Sequence, residues 1–309
     1  MRAGFWFAWG AMALLLAGQD QTVRDPRVFR TAIDLIGITA TVLDREGHLV
    51  NDLPRDVFEV FEDSELQTIT QFTSDRVPVS LGMLIDTSDS MYGRRIEDTR
   101  FAVERFVADL LDPSDEVALV AFNHQPHVIL PWTGDRAEMS SPLKQLRPWG
   151  GTAVYDAILG TLPLVGSRHR QRAALVLISD GADTASDSAL RDVRFALLRS
   201  DAFVYAVAID SPDRRAINTA VNPTALREIT DQSGGRTETV RGSGELLTAL
   251  AGIAEELNHQ YVLGYTSRRG ADGKFHSIRV RVRGSDHRVH ARNGYVAPEA
   301  RPSPRKTDR

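Results

Sequence analysis

Asp86-Thr87-Ser88-Asp89-Ser90 is the stretch on which the reading of the chain turns. It closes the apolar run Val79-Ser80-Leu81-Gly82-Met83-Leu84-Ile85, which has the composition of a strand buried on both faces. Met91, Tyr92 and Gly93 follow. A helical pattern over 94–111 comes next, with Val103, Phe106, Val107 and Leu110 on one face. A carboxylate and two hydroxyls spaced two residues apart thus stand in one tight loop at the carboxyl end of a buried strand. That is the rim where an α/β sheet presents its ligands, and three hard oxygen donors there suit a metal ion better than a phosphate.

Two later stretches complete the cradle. Gly150-Gly151-Thr152 precedes a helical pattern over 153–165, and Ser179-Asp180-Gly181 follows the apolar run Ala173-Ala174-Leu175-Val176-Leu177-Ile178. If both strands lie in one parallel sheet with their carboxyl ends on one rim, Thr152 and Asp180 reach the same point as Asp86, Ser88 and Ser90. Five oxygen ligands then converge on one cation.

The D-x-S-x-S loop, the Gly-Gly-Thr loop and the Ser-Asp-Gly loop, in that order, resemble the metal-ion-dependent adhesion site of von Willebrand factor type A domains. The resemblance covers roughly residues 79–258. It implies that Asp86, Ser88 and Ser90 are the first-loop ligands, Thr152 the second-loop ligand and Asp180 the third-loop ligand, directly or through water. Many members of the family carry Gly at the position of Asp89. Asp tolerates a left-handed backbone better than most residues, so the loop is expected to survive the change.

Hard oxygen donors favour Mg2+, with Mn2+ or Ca2+ as substitutes, and exclude soft-metal chemistry. Asp86 and Asp180 bring two negative charges, so a bound dication is about neutralised and stays electrophilic. In the family such a cation binds a carboxylate of a partner protein. The resemblance therefore implies a protein-binding module without catalytic activity of its own. One rival reading makes Asp86 the nucleophile of a metal-dependent hydrolase or phosphotransfer enzyme. Enzymes of the haloacid dehalogenase type show a second Asp two residues on, whereas this chain has Ser88, and its motif loops hold no phosphate-clamping Lys. The other rival is a scaffold whose metal only staples the loops. Taken singly, the five residues also have ordinary readings as helix caps and turn residues, Thr152 as an N-cap among them. Asp89, Asp156 and Asp183 are candidates for orienting the ligand hydroxyls, or are plain loop acids.

The 309 residues suffice for two domains, and 42% hydrophobic with 25% charged residues is the composition of a soluble globular protein. A formal net charge of -4 gives no global attraction to nucleic acid or an anionic membrane. There is no cysteine, which excludes disulfides, thiolate metal sites and a lipid-modified N-terminal Cys. No G-x-G-x-x-G or G-x-x-x-x-G-K motif opens a helix, so a nucleotide-binding reading lacks its phosphate loop. Arg2 followed by an apolar stretch to Gly18 has the length of a signal-peptide core and is short of a membrane span. Residues 1–19 are thus expected to direct export, to the periplasm or beyond, and the mature chain to carry no membrane span.

From Val79 to Glu256 apolar runs alternate with amphipathic helical patterns, the signature of a doubly wound, mostly parallel α/β sheet. Val128-Ile129-Leu130 is expected as an antiparallel edge strand. Both flanks are β-rich. The first, residues 28–78, offers strands at Ala32–Leu43, around Phe58, Val60 and Phe61, and around Ile69 and Phe72. The second, residues 259–297, offers Tyr261–Tyr265 and the period-two pattern of Ile278, Val280 and Val282 against Arg279, Arg281 and Arg283. Neither flank can bury a sheet alone. The expectation is one β-sandwich built from both chain ends, with the α/β domain of residues 79–258 inserted and a disordered tail at 298–309. The stretches DREGHLVNDLPRDVFEVFEDSELQTITQF, YVLGY and RNGYVAP also resemble the flanks of a bacterial, largely acidobacterial, group of exported von Willebrand A-related proteins.

Overall fold

The computed structural model describes residues 35–180, 183–209, 223–284 and 286–299. The expected export signal at 1–19, Gly181 of the third loop and the tail beyond Glu299 lie outside the described residues. Pro298 and Glu299 belong to the ordered body, which shortens the expected tail: the Pro298 carbonyl accepts from the Gly273 N–H, and Glu299 forms an antiparallel bridge with Asp272.

The chain opens with β1 (Leu35–Leu43), β2 (Phe58–Glu62), β3 (Glu65–Gln67) and β4 (Ile69–Thr73). In β1 the period-two set Ile36, Ile38, Ala40 and Val42 points inward. In β2 the inward set is Phe58, Val60 and Glu62, while Phe61 faces out. The pleat and not the apolar letter decides the face, so Glu62 closes the strand on the core side.

The α/β body follows: β5 (Val79–Asp86), α1 (Arg94–Arg105), β6 (Glu116–Phe122), β7 (Pro126–Thr133), α2 (Ser140–Gln145), α3 (Val154–Gly166), β8 (Arg172–Ser179), α4 (Leu190–Leu197), β9 (Phe203–Ile209), α5 (Pro223–Ser233), β10 (Thr237–Val240) and α6 (Ser243–Asn258). Its six strands run in the order β10-β9-β8-β5-β6-β7, all parallel except β7, which pairs antiparallel at the edge as expected. All eight residues of β5 and all eight of β8 are buried, which is why both read as unbroken apolar runs. Val79, Leu81, Met83 and Ile85 face a core shared with α1 and α6, and Leu84 faces the other core, beneath α3 and α4. The expected helix over 94–111 is α1 followed by one π turn, Phe106–Leu110, closed by the Leu111 N–H on the Phe106 carbonyl. β10 and α2 had no counterpart in the sequence reading. Both are short, and β10 is half-exposed at the sheet edge.

The chain ends in β11 (Tyr261–Thr266), β12 (Phe275–Val282), β13 (Arg288–Ala291) and β14 (Gly294–Val296). Strands from the two flanks interleave: one four-stranded sheet runs β13-β1-β11-β4 and the other β14-β12-β2-β3. Ile36, Ile38, Phe58, Val60, Leu263, Ile278 and Val280 pack between them as one core. Arg279 and Arg281 lie on the outer face, their guanidinium carbons 5.8 Å and 5.6 Å from the Phe61 ring centroid. Among the described residues no helix is long and apolar enough to cross a membrane.

Candidate metal centre

Asp86 is the last residue of β5, which sits between β8 and β6 in the middle of the sheet. Two register facts follow. Its backbone pairs with Phe122 at the end of β6, and the neighbouring Ile85 pairs with Ile178 near the end of β8. Parallel strands that end level therefore deliver two of the three loops, one and three, to one rim. Loop one runs from Thr87 to Gly93, loop two precedes α3, and loop three leaves β8 at Asp180.

Backbone hydrogen bonds join loops one and two. The Trp149 N–H donates to the Thr87 carbonyl at 2.8 Å, and the Asp89 N–H to the Gly150 carbonyl at 2.9 Å. Loop two is fixed from its far side as well, because the Ala153 N–H donates to the Asn123 carbonyl, and the Thr152 carbonyl accepts from the Thr184 and Ala185 N–H groups. Gly150, at φ +80°, makes the turn possible, and the His124 ring lies against it with Nε2 accepting from the Gly151 N–H.

Side chains join loops one and three. The Ser88 and Ser90 hydroxyls are 2.9 Å apart, and Ser90 Oγ donates to Asp180 Oδ1 at 2.6 Å, across 90 residues of sequence. Asp86 Oδ1 accepts from the Ser88 N–H at 2.8 Å, and Asp86 Oδ2 accepts from Ser179 Oγ. Arg95, in the first turn of α1, donates from Nη1 to the Ser90 carbonyl at 2.6 Å and to Asp180 Oδ2 at 2.8 Å. Four of the five expected ligands, Asp86, Ser88, Ser90 and Asp180, thus form one connected cluster. Thr152 is buried in the loop hydrogen-bonded to loop one, but its side chain takes no part in the bonds that join the other four.

The ordinary readings of these residues account for little. Thr152 does not cap α3: the N-cap position belongs to Ala153, which makes no side-chain cap. Ser88 stands at the N-cap of the short turn 89–91 without a side-chain cap bond, and Gly93 precedes α1. Asp86 does form a local turn bond, but with one oxygen only. Asp89 is exposed, and its φ is not positive, so the tolerance for left-handed backbone expected of it is never called upon. Asp156 and Asp183 brace the loops at one remove. Asp156 accepts from the Asp187 and Ser188 N–H groups, and Asp183 from the Tyr155 N–H and the Ser186 hydroxyl.

Electrostatics sets the cluster apart from a turn. Asp86 and Ser88 are 0% and 1% exposed, Asp180 6%. Burial pushes the Asp86 carboxyl up to about 7 against its bonds from Ser179 and Ser88, and the nearby Asp180 adds to the rise. Burial also raises Asp180, opposed by Ser90 and Arg95. Two buried carboxylates side by side, rimmed by hydroxyls, form a site where a hard dication relieves both the desolvation and the mutual repulsion. Among the described residues no group of three or more His, Cys, Asp or Glu side chains converges, here or elsewhere, so this cluster rests on two carboxylates and its hydroxyls. Ser179, Arg95 and His124 were not among the expected site residues. Ser179 lay in plain view beside Asp180, whereas Arg95 and His124 enter through tertiary contacts that no spacing reveals.

An α/β sheet with a hydroxyl-and-carboxylate cluster on its carboxyl rim defines a class of ligand-binding domain. Residues 81–182 match the family model for the von Willebrand factor type A domain, and the chain carries a domain of that family. The minor fimbrium subunit Mfa5 of Porphyromonas gingivalis is 29% identical over 116 residues, which are 35% of this chain and 9% of that protein. The inter-alpha-trypsin inhibitor heavy chain H2 of Sus scrofa is 25% identical over 135 residues, 39% of this chain and 14% of that one. The chain thus spans a small fraction of either relative's length. A von Willebrand factor type A structure from Catenulispora acidiphila superposes with a TM-score of 0.52 at 14% identity, covering 86% of this chain and 74% of that one. That likeness is one of fold.

Proposed function

We propose that this protein is an exported, non-catalytic binding module that captures an acidic group of a partner protein through a divalent cation, Mg2+ first, held by Asp86, Ser88, Ser90, Thr152 and Asp180. The observation that carries the reading is the bond from Ser90 to Asp180, which brings two loops 90 residues apart into one buried oxygen cluster. When bound, the cation supplies a Lewis acid that accepts a carboxylate oxygen from outside. The protein's own groups do the rest. Asp86 and Asp180 provide the charge, Ser88 and Ser90 provide neutral donors, and Ser179 with the Ser88 N–H holds the Asp86 carboxylate in one orientation. The relatives support the binding role: one is a minor fimbrium subunit and another an inhibitor heavy chain, by name. Export rests on the N-terminal pattern of Arg2 and the apolar stretch behind it.

The test uses the full chain immobilised and exposed to envelope proteins of the source organism. Retention in Mg2+, release by EDTA, and loss of retention in Asp86→Ala and Asp180→Ala with unchanged far-UV circular dichroism are the expected results. Retention that survives EDTA and both substitutions contradicts the metal-mediated reading and favours the scaffold. Turnover of a phosphoester substrate that Asp86→Ala abolishes favours the enzyme.

A further inference from the structure

Arg95 stands where the cluster needs a positive charge. It sits five residues past Ser90, its side chain is 23% exposed, and it forms an ion pair with the 3% exposed Asp180 side chain. One nitrogen, Nη1, reaches both the Ser90 carbonyl and Asp180 Oδ2, so a single guanidinium spans loops one and three. The other Asp180 oxygen is already taken by the Ser90 hydroxyl. Both oxygens of one expected ligand are therefore engaged by groups of the chain itself. A dication bound to Asp180 has the guanidinium as an immediate like-charged neighbour.

We propose that Arg95 is a resident cation that competes with the metal for Asp180 and sets the affinity of the centre, holding loops one and three together in the metal-free protein and weakening metal binding by its charge. This inference rests on the metal-centre reading above and concerns a residue that the three-loop motif does not contain. Its physical basis is Coulombic. Removing a unit positive charge beside a partly buried carboxylate restores that carboxylate's full negative charge to an incoming dication, and in a partly desolvated site the interaction is not screened away. Arg95 also contributes structurally, because it bonds a main-chain carbonyl of loop one. Its loss should therefore leave the metal-free protein less stable and the metal-bound protein more responsive to metal.

The experiment titrates Mg2+ into the full chain by calorimetry and follows thermal unfolding in EDTA and in saturating Mg2+, for the wild type, Arg95→Gln and Arg95→Lys. Expected for Arg95→Gln are an Mg2+ affinity at least about tenfold tighter, a lower melting temperature than wild type in EDTA, and a larger rise on adding Mg2+. Arg95→Lys keeps the charge and is expected to stay close to wild type in affinity, which separates charge from shape if Arg95→Gln folds poorly. Wild type that fails to bind while Arg95→Gln binds supports the proposal in its strongest form. Wild type that binds with Arg95→Gln no tighter overturns the resident-cation role alone. Failure of wild type and both variants to bind overturns the metal centre and this inference with it.

Discussion

Single residues decide whether the three loops form a cradle, and two glycines show how. Gly93 and Gly150 have nearly the same φ, +81° and +80°, but different surroundings. A Cβ added at Gly93 meets nothing within 4 Å, whereas one at Gly150 falls 2.4 Å from His124 Nε2. Gly93→Ala is expected to cost about 1–2 kcal/mol, the strain of a φ +81°, ψ -130° backbone that is essentially glycine's own. Gly150→Ala adds displacement of the ring that braces loop two and is expected to cost about 2–3 kcal/mol. Urea denaturation of the two variants measures the difference, and weaker Mg2+ binding by Gly150→Ala alone would trace it to the site. The donors at this scale were legible because they sit at fixed spacing in sequence. Asp86, Ser88 and Ser90 are two apart at the end of a run whose burial the apolar letters announce. Arg95 and His124 were not legible, because their roles arise from contacts across the rim.

Elements in the β-sandwich carry a second set of polar clusters, one built on a buried carboxyl and one, around His276, that responds to pH. Glu62, at the end of β2, is 1% exposed and accepts from the hydroxyls of Tyr265, Tyr295 and Ser267. Glu62→Ala removes the common acceptor of two buried phenols and leaves a cavity. A loss of about 2–4 kcal/mol is expected in chemical denaturation. At the rim of the same sheet, His276 Nδ1 bonds Asp63 Oδ2 at 2.8 Å and its Nε2 bonds Asp272 Oδ1 at 3.1 Å. Burial works against the charged imidazole, but the bonds to Asp63 and Asp272 outweigh it and raise His276 above its ordinary 6.5. The His276 bond lowers Asp63 below 3.8, and the Lys274 N–H does most to lower Asp272.

The signs give a window. The raised histidine contributes fully below pH 6.5, and its contribution is lost as pH climbs through the raised value. The lowered acids contribute above pH 3.8, and theirs is lost as pH falls through the lowered values. Arg269, 3.6 Å from Asp63, keeps part of the acid contribution in place when the histidine is neutral. The stability gap between wild type and His276→Gln is therefore expected to be widest near pH 5–6 and to shrink by pH 9, as read from urea midpoints. A gap that widens with pH contradicts the clasp. The existence of these strands was legible from alternation. Which face Glu62 and Phe61 take was not, since one residue of register exchanges the faces.

Taken whole, the molecule binds its sandwich to its α/β body through buried polar groups at the end of the sheet away from the cradle. Arg172 opens β8 and reaches the Val77 and Leu257 carbonyls and the Gln260 side chain, and Gln260 in turn bonds Tyr205 of β9 and Thr41 of β1. The described residues form one compact unit. Unfolding is accordingly expected as one transition, with the fluorescence of Trp132 and Trp149 in the body, read with Trp6 and Trp9 replaced by Phe, coinciding with near-UV dichroism, to which the sandwich tyrosines contribute. Separate transitions would show that Gln260 and Arg172 do not couple the layers. The split origin of the sandwich was legible because neither flank has enough strands to cover a sheet. The joint was not, because Gln260 and Arg172 look like ordinary polar residues until the sheet edge closes over them.

The central claim is that loops one, two and three gather around a single divalent cation, and calorimetric titration of Mg2+ into the full chain tests it most directly. One Mg2+ per chain, absent from Asp180→Ala and from Asp86→Ala at unchanged dichroism, is the predicted result. No binding by the wild type and by Arg95→Gln alike, or binding that either alanine variant retains undiminished, would contradict it.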